Sequence, residues 1–256
     1  ATVAFLKDKF KAMGFSTCLQ TFTTSGKVMS NVIAFKPGSS ADSVTVGAHY
    51  DSRPFDGPAP GAVDNGSGVA ALLSIARAFA EAGISPRKSV YFAAFAVEEV
   101  GIKGSEEFAD ALASGGGSIP GECRPSTNAT FQQAGSARHR AVVMDEVAWR
   151  SPALAAPTVN LEAFDWASGV LEELAQASQD HNGAALKVVH SGYPFGSDHM
   201  PFLNRGNQAV LTIQGDDQGY PDYHKSTDNV ANADPELLAM IAKMNLGGLV
   251  RLSGIA

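Results

Sequence analysis

Residues 93–101, AAFAVEEVG, run small and apolar as a buried strand would, then end in two adjacent carboxylates, Glu98 and Glu99. An unpaired carboxylate is costly to bury, so this pair calls for a partner of opposite charge. Three other apolar runs end in a similar way. SVTVGAHYD delivers His49 and Asp51, AVVMDE delivers Asp145 and Glu146, and QAVLTI feeds the loop that carries His224. Asp64 stands in a glycine-rich stretch at the head of a long helical pattern. Histidine, aspartate and glutamate without cysteine suit zinc, with manganese or cobalt as substitutes. Two histidines and several carboxylates exceed what one tetrahedral zinc takes, and two ions bridged by a carboxylate and a water account for the surplus.

These residues need elements to bring them together. Apolar periods of 3.6 and of two alternate along the chain. They predict a helix near 3–13, strands near 15–22, 28–35 and 43–50, and a long helix over 68–83 closed by Gly83. A strand over 88–97, a helix near 105–113, strands at 140–149 and 157–162, and a helix over 164–181 follow. A strand at 185–190, a short helix near 198–205, a strand at 208–213 and a final helix from 234 complete the order. Strands alternating with helices imply a three-layer α/β/α sandwich around a central, mostly parallel mixed sheet. In such sheets sites form at the carboxyl ends of the strands, where the acidic and histidine residues stand. Residues 114–137, rich in Gly, Ser, Pro and Asn, read as a long surface loop.

At 256 residues with 45% hydrophobic content, the chain reads as one domain over 1–256. A net charge of −7 argues against a non-specific nucleic-acid or anionic-membrane binder, since either wants a basic face. No apolar run approaches a membrane span, and the first residues do not read as a signal peptide. Cys18 and Cys123 match no metal spacing; they pair in an oxidising compartment or stay free, and so small a number usually means no bridge. The sequon at Asn128 is compatible with secretion, whereas a glycan on the sequon at Asn65 would crowd the candidate site.

HYDS at 49–52, DNGSG at 64–68, EEVG at 98–101, Asp145, SDH at 197–199 and YHKSTDN at 223–229 together resemble the M28 family of di-zinc aminopeptidases. The likeness runs in order over about 30–230. It implies a zinc-peptidase fold of the phosphorylase/hydrolase-like type and peptide substrates with a free amino terminus. It also implies two zinc ions per chain, with His49 and Asp145 on one, Glu99 and His224 on the other, and Asp64 between them. Glu98 becomes the general base, and Asp51 the carboxylate that orients His49. Tyr193 resembles the tyrosine that stabilises the oxyanion in some members. A secreted or periplasmic monomer is expected by the same analogy.

Blander readings compete at several positions. Asp64 also suits a helix N-cap. His199 reads as structural, His139 and His181 as surface residues, His190 as a strand end, and Asp198 and Asp228 as loop anchors. The loop GDDQGYPDYHKS reads as one wall of a cleft, with Tyr220 and Tyr223 lining it or merely packing. Many relatives carry an apolar residue where this chain has Glu146. If Glu146 faces the pocket, a basic amino-terminal side chain, or extra contact with the substrate amine, gains favour. Glutaminyl cyclases share the fold and much of the ligand set; they, a two-domain carboxypeptidase and a non-catalytic binding relative are the rival functions.

Overall fold

The strand Ser89–Phe95 is buried at every position, so its side chains must find apolar partners on both faces of a sheet. Tyr91 and Phe95, two residues of one face, pack against Phe108 at ring distances of 5.5 and 5.8 Å. Phe92, pointing the other way, meets Phe79 at 5.8 Å and Phe15 at 5.1 Å. One strand thus defines three layers: helices, sheet, helices. The computed structural model describes residues 1–40, 42–115, 117–125 and 139–255.

The strands are β1 (Ser16–Thr24), β2 (Lys27–Lys36), β3 (Ser43–His49), β4 (Ser89–Phe95), β5 (His139–Met144), β6 (Thr158–Glu162), β7 (Lys187–Ser191) and β8 (Gln208–Gln214). They form one sheet in the order β1-β2-β4-β3-β5-β8-β6-β7. The middle four, β4, β3, β5 and β8, run parallel, while β1–β2, β2–β4 and β6–β8 are antiparallel. The helices are α1 (Thr2–Ala12), α2 (Gly68–Glu81), α3 (Lys103–Ala113), α4 (Ser168–His181), α5 (Met200–Leu203) and α6 (Pro235–Ser253). One face is covered by α1, α2, α4 and α6, the other by α3 and α5. Residue chemistry sets the ends: Asp234 caps α6 by accepting from Glu236 N–H and Leu237 N–H, and Pro235 opens its first turn. No helix among the described residues is long and apolar enough to cross a membrane.

From β3 the chain crosses through α2 to β4 on one side, and after β5 it builds β6, β7 and β8 on the other. Connections that leave two adjacent strands in opposite directions open a crevice at their carboxyl ends. His49 closes β3 and Asp145 follows β5, so both stand at that crevice.

Two expectations need correction. Cys18 and Cys123 are bonded, with Cα atoms 6.2 Å apart and both side chains buried. The turn Gly121–Cys123 packs on β1 and β2, and no sequence spacing announces a bridge 105 residues long. In the described part of the expected surface loop, Ser114, Gly117, Ser118, Gly121 and Glu122 are exposed while Ile119 and Cys123 are fully buried; residues 116 and 126–138, with the sequon at Asn128, lie outside the described residues. His139 is also buried, with its Nδ1 2.6 Å from Ser43 Oγ, because it opens the central strand β5.

Candidate metal centre

The four central strands deliver their carboxyl ends to one edge, and the expected ligands meet there. His49 Nε2 lies 3.2 Å from Asp145 Oδ1 and 3.5 Å from Asp64 Oδ1. His224 Nε2 lies 2.7 Å from Glu99 Oε2 and 3.2 Å from Asp64 Oδ2. Asp64 therefore offers one oxygen to each histidine. Donor atoms of His49, Asp64 and Glu99 fall within 4.8 Å of one another, as residues that could hold a metal ion do. Glu98 stands at the edge of this group, with Oε2 4.0 Å from His49 Nε2.

Backbone geometry and a ring of hydrogen bonds hold the side chains. Asp64 is no helix cap: it sits four residues before α2, in an irregular turn over Ala62–Ser67 with a cis Asp64–Asn65 peptide bond. Asp228 grips that turn, accepting Val63 N–H at 2.9 Å and Asp64 N–H at 3.0 Å, and Tyr220 Oη donates to it at 2.7 Å. Asn65 accepts from Gly68 N–H at 2.9 Å and donates to Met144 O at 2.9 Å, which ties the turn to the end of β5. Asn65 is buried, so its sequon offers no room for a glycan. Ser197 Oγ donates to Asp145 Oδ2 at 2.9 Å. Val97, Glu146 and His224 adopt positive φ of 64°, 46° and 52°, a region that side chains avoid and that clusters at functional sites.

Asp51 acts differently from the expectation. Its backbone carbonyl, 3.0 Å from His49 Nδ1, orients the imidazole, while its carboxylate is 3.8 Å away. The carboxylate instead accepts from Glu98 N–H and Glu99 N–H, each at 3.2 Å. It fixes the two glutamates more directly than it fixes the histidine.

The electrostatics describe a surplus of negative charge. Burial, with Asp145 and Asp198 adding repulsion against the opposing pull of His49, pushes Glu98 up to about 9. Burial and Asp64 push Glu99 up to about 7, and burial raises Asp64 as well. Burial alone would lower His49, yet Asp145 and Glu98 outweigh it and raise the imidazole well above its usual value. His224 is raised chiefly by its hydrogen bond to Asp64. Carboxylates that resist ionising beside histidines that favour it mark a place where added positive charge is stabilised. Oxygen and imidazole donors without thiolate fit a zinc-type dication at such a place.

A cavity of about 220 Å³ opens beside the cluster. Glu146 lines it, as do Tyr223 and Tyr220 of the expected cleft wall. Tyr223 stacks on His224 at 3.9 Å and 18° between planes. Tyr193 does not line the cavity and is 93% exposed, because the turn after β7 carries it into solvent. His199 is buried beside Asp145 with neither ring nitrogen hydrogen-bonded among the described residues, and burial holds it down at about 3. Asp198 is tied to Ser105 Oγ at 2.5 Å. Sequence reasoning missed Ser197 and Phe195 and gave Asp228 only a loop-anchoring part. The one signal for them was their place inside SDH, just before it and inside YHKSTDN.

The model of peptidase family M28 matches residues 31–248. Aminopeptidase YwaD of Bacillus subtilis is 29% identical over 227 residues, covering 86% of this chain and 43% of that protein. The solved structure of BSAP, a zinc aminopeptidase from Bacillus subtilis, superposes with a TM-score of 0.68 at 25% identity, over 89% of this chain and 50% of the other. LapA aminopeptidase of Legionella pneumophila reaches a TM-score of 0.80 over 100% of this chain and 63% of its own, at 22% identity, a likeness of fold. The chain spans less than half the length of the first curated relatives it matches.

Proposed function

The chain belongs to peptidase family M28, and from that premise we propose that it is a metallo-aminopeptidase that removes the amino-terminal residue of peptides with two zinc ions and a glutamate base. The observation that carries this reading is the division of Asp64, one oxygen 3.5 Å from His49 Nε2 and the other 3.2 Å from His224 Nε2. His49 and Asp145 would hold one ion, Glu99 and His224 the other, and Asp64 both. Bound there, zinc would supply Lewis-acid polarisation of the scissile carbonyl and make a water more acidic.

The chain's own residues do the rest. Glu98, free of the ligand set and at its edge, takes the proton of the attacking water and passes it to the departing amine. Its upward shift suits a base that must also serve as an acid, and the positive charge of the centre would bring it back toward neutral pH. Tyr223 lines the cavity, and burial together with Asp64 keeps its phenol protonated, so it can donate to the oxyanion. That role was expected of Tyr193, whose exposure argues against it. The Cys18–Cys123 bridge supports a location outside a reducing cytosol.

The test is a panel of amino-acid amides and peptides, with blocked and free amino termini, assayed after chelation and after zinc return. Hydrolysis only of free termini, lost on chelation and restored by zinc, is expected. Activity that survives thorough chelation would overturn the reading. Release of pyroglutamyl product from amino-terminal glutamine without peptide hydrolysis would point to a cyclase.

A further inference from the structure

The cavity beside the candidate centre holds more carboxylate than the centre uses. Asp64, Glu98, Glu99 and Asp145 belong to the metal and base positions; Glu146 and Asp217 line the same cavity and do not. Glu146 follows Asp145 directly and is 7% exposed, with φ of 46°. Among the described residues its carboxylate receives one hydrogen bond, from Gln214 Nε2 at 3.3 Å, and that bond reaches only Oε2. Asp217 is half-buried and receives side-chain amides alone, from Asn160 at 3.4 Å and Gln218 at 2.7 Å. Among the described residues no lysine or arginine lines the cavity, and no ion pair includes either carboxylate. A carboxylate so buried and so thinly satisfied takes its compensation from whatever enters.

The remaining walls are aromatic. Phe195, Tyr220 and Tyr223 give the cavity flat apolar surfaces. A chain of methylenes ending in a cation fits this pairing of aromatic walls with acidic groups, its stem on the rings and its head at the carboxylates.

We propose that Glu146, seconded by Asp217, forms the pocket for the substrate's amino-terminal side chain and selects lysine or arginine there. This assignment rests on the aminopeptidase reading and deepens it. A neutral side chain in the same place leaves the Glu146 carboxyl without the charged donor that lysine or arginine supplies, and a site built around such a bond discriminates far more sharply than an apolar slot does.

The experiment uses the zinc-loaded full chain and the anilides of lysine, arginine, citrulline, norleucine and leucine, read as kcat/KM. Lysine and arginine are expected to exceed norleucine and citrulline, their neutral counterparts in shape. Glu146→Gln is expected to lower the lysine-to-norleucine ratio roughly tenfold or more. The comparison of arginine with citrulline needs no variant, so it stands even if Glu146→Gln fails to fold. Equal or better turnover of the neutral partners by the unaltered chain would overturn the assignment while leaving the aminopeptidase reading in place. A uniform loss across all five in Glu146→Gln would also overturn it, and would assign Glu146 to the α-amine that all substrates share. Failure to hydrolyse any of the five would sink the aminopeptidase reading and this one with it.

Discussion

Glu98 and Glu99 are adjacent in the chain and face different tasks. Both lie past the end of β4, where Val97 takes φ of 64° and Glu98 O accepts from Gly101 N–H and Ile102 N–H. In that turn one carboxylate reaches His224 while the other stays at the edge of the cluster. Glu99 Oε2 lies 2.7 Å from His224 Nε2, whereas Glu98 Oε2 lies 4.0 Å from His49 Nε2. Asp51 holds both backbones, so their aim is set by a residue outside the pair. Glu98→Gln keeps shape and removes the base. It is expected to retain both zinc ions by elemental analysis and to lose turnover by roughly a hundredfold to ten-thousandfold. Loss of metal with the activity would mean that the two glutamates have been assigned the wrong way round. At this scale the ligand types were legible from the ends of apolar runs. Asp51's actual target was not, because a residue two positions from His49 invites a local reading and its partners come from the turn after β4, 47 and 48 residues away.

At the scale of elements, periodicity recovered the strands and helices to within a few residues, since each strand of the parallel core is buried on both faces and reads as an unbroken apolar run. For the glycine-rich stretch over Ala62–Ser67 the sequence offers only a loop before α2 with Asp64 as a candidate cap, because Asp before a helical pattern usually caps it. Its true form depends on tertiary partners, Asp228 and the carbonyl of Met144, which no local pattern reveals. Gly68 shows how tightly this turn is packed. A Cβ there would come within 2.8 Å of Met144 O and collide with the Asn65 amide. Gly68→Ala is therefore expected to destabilise the chain by about 1–3 kcal/mol, as overpacking does, and to weaken zinc binding by displacing Asp64. Thermal unfolding and zinc titration measure the two effects. A variant with unaltered stability and affinity would show that the turn yields freely, and that its rigidity does not aim the bridge. The Cys18–Cys123 bond was equally illegible, since it depends on α3 returning the chain to β1.

For the whole molecule, the ordered set of motifs announced the family and the sheet, because its members sit at the carboxyl ends of strands that the sheet must align. Charge balance was less legible, since net charge does not reveal that several carboxylates share one cavity. Its consequence is a dependence of stability on pH. With burial raising Glu98 to about 9 and Glu99 to about 7 against an ordinary value of 4.5, the folded chain without metal holds protons that the unfolded chain has released. Stability then falls as pH rises through the interval from 4.5 to about 9. His49 and His224, both raised above 6.5, act in the same direction: the stability they contribute is full below that value and is lost as pH climbs through their folded-state pKa. Zinc reverses the preference, since it favours ionised carboxylates and neutral imidazoles and releases the protons they held. The chelated protein is expected to lose thermal midpoint steadily between about pH 6 and about pH 8, and the gain on adding zinc is expected to grow over the same interval. A chelated midpoint that stays flat or rises across that range would mean that the carboxylates are compensated within the chain, and the charge argument for a metal centre would fall.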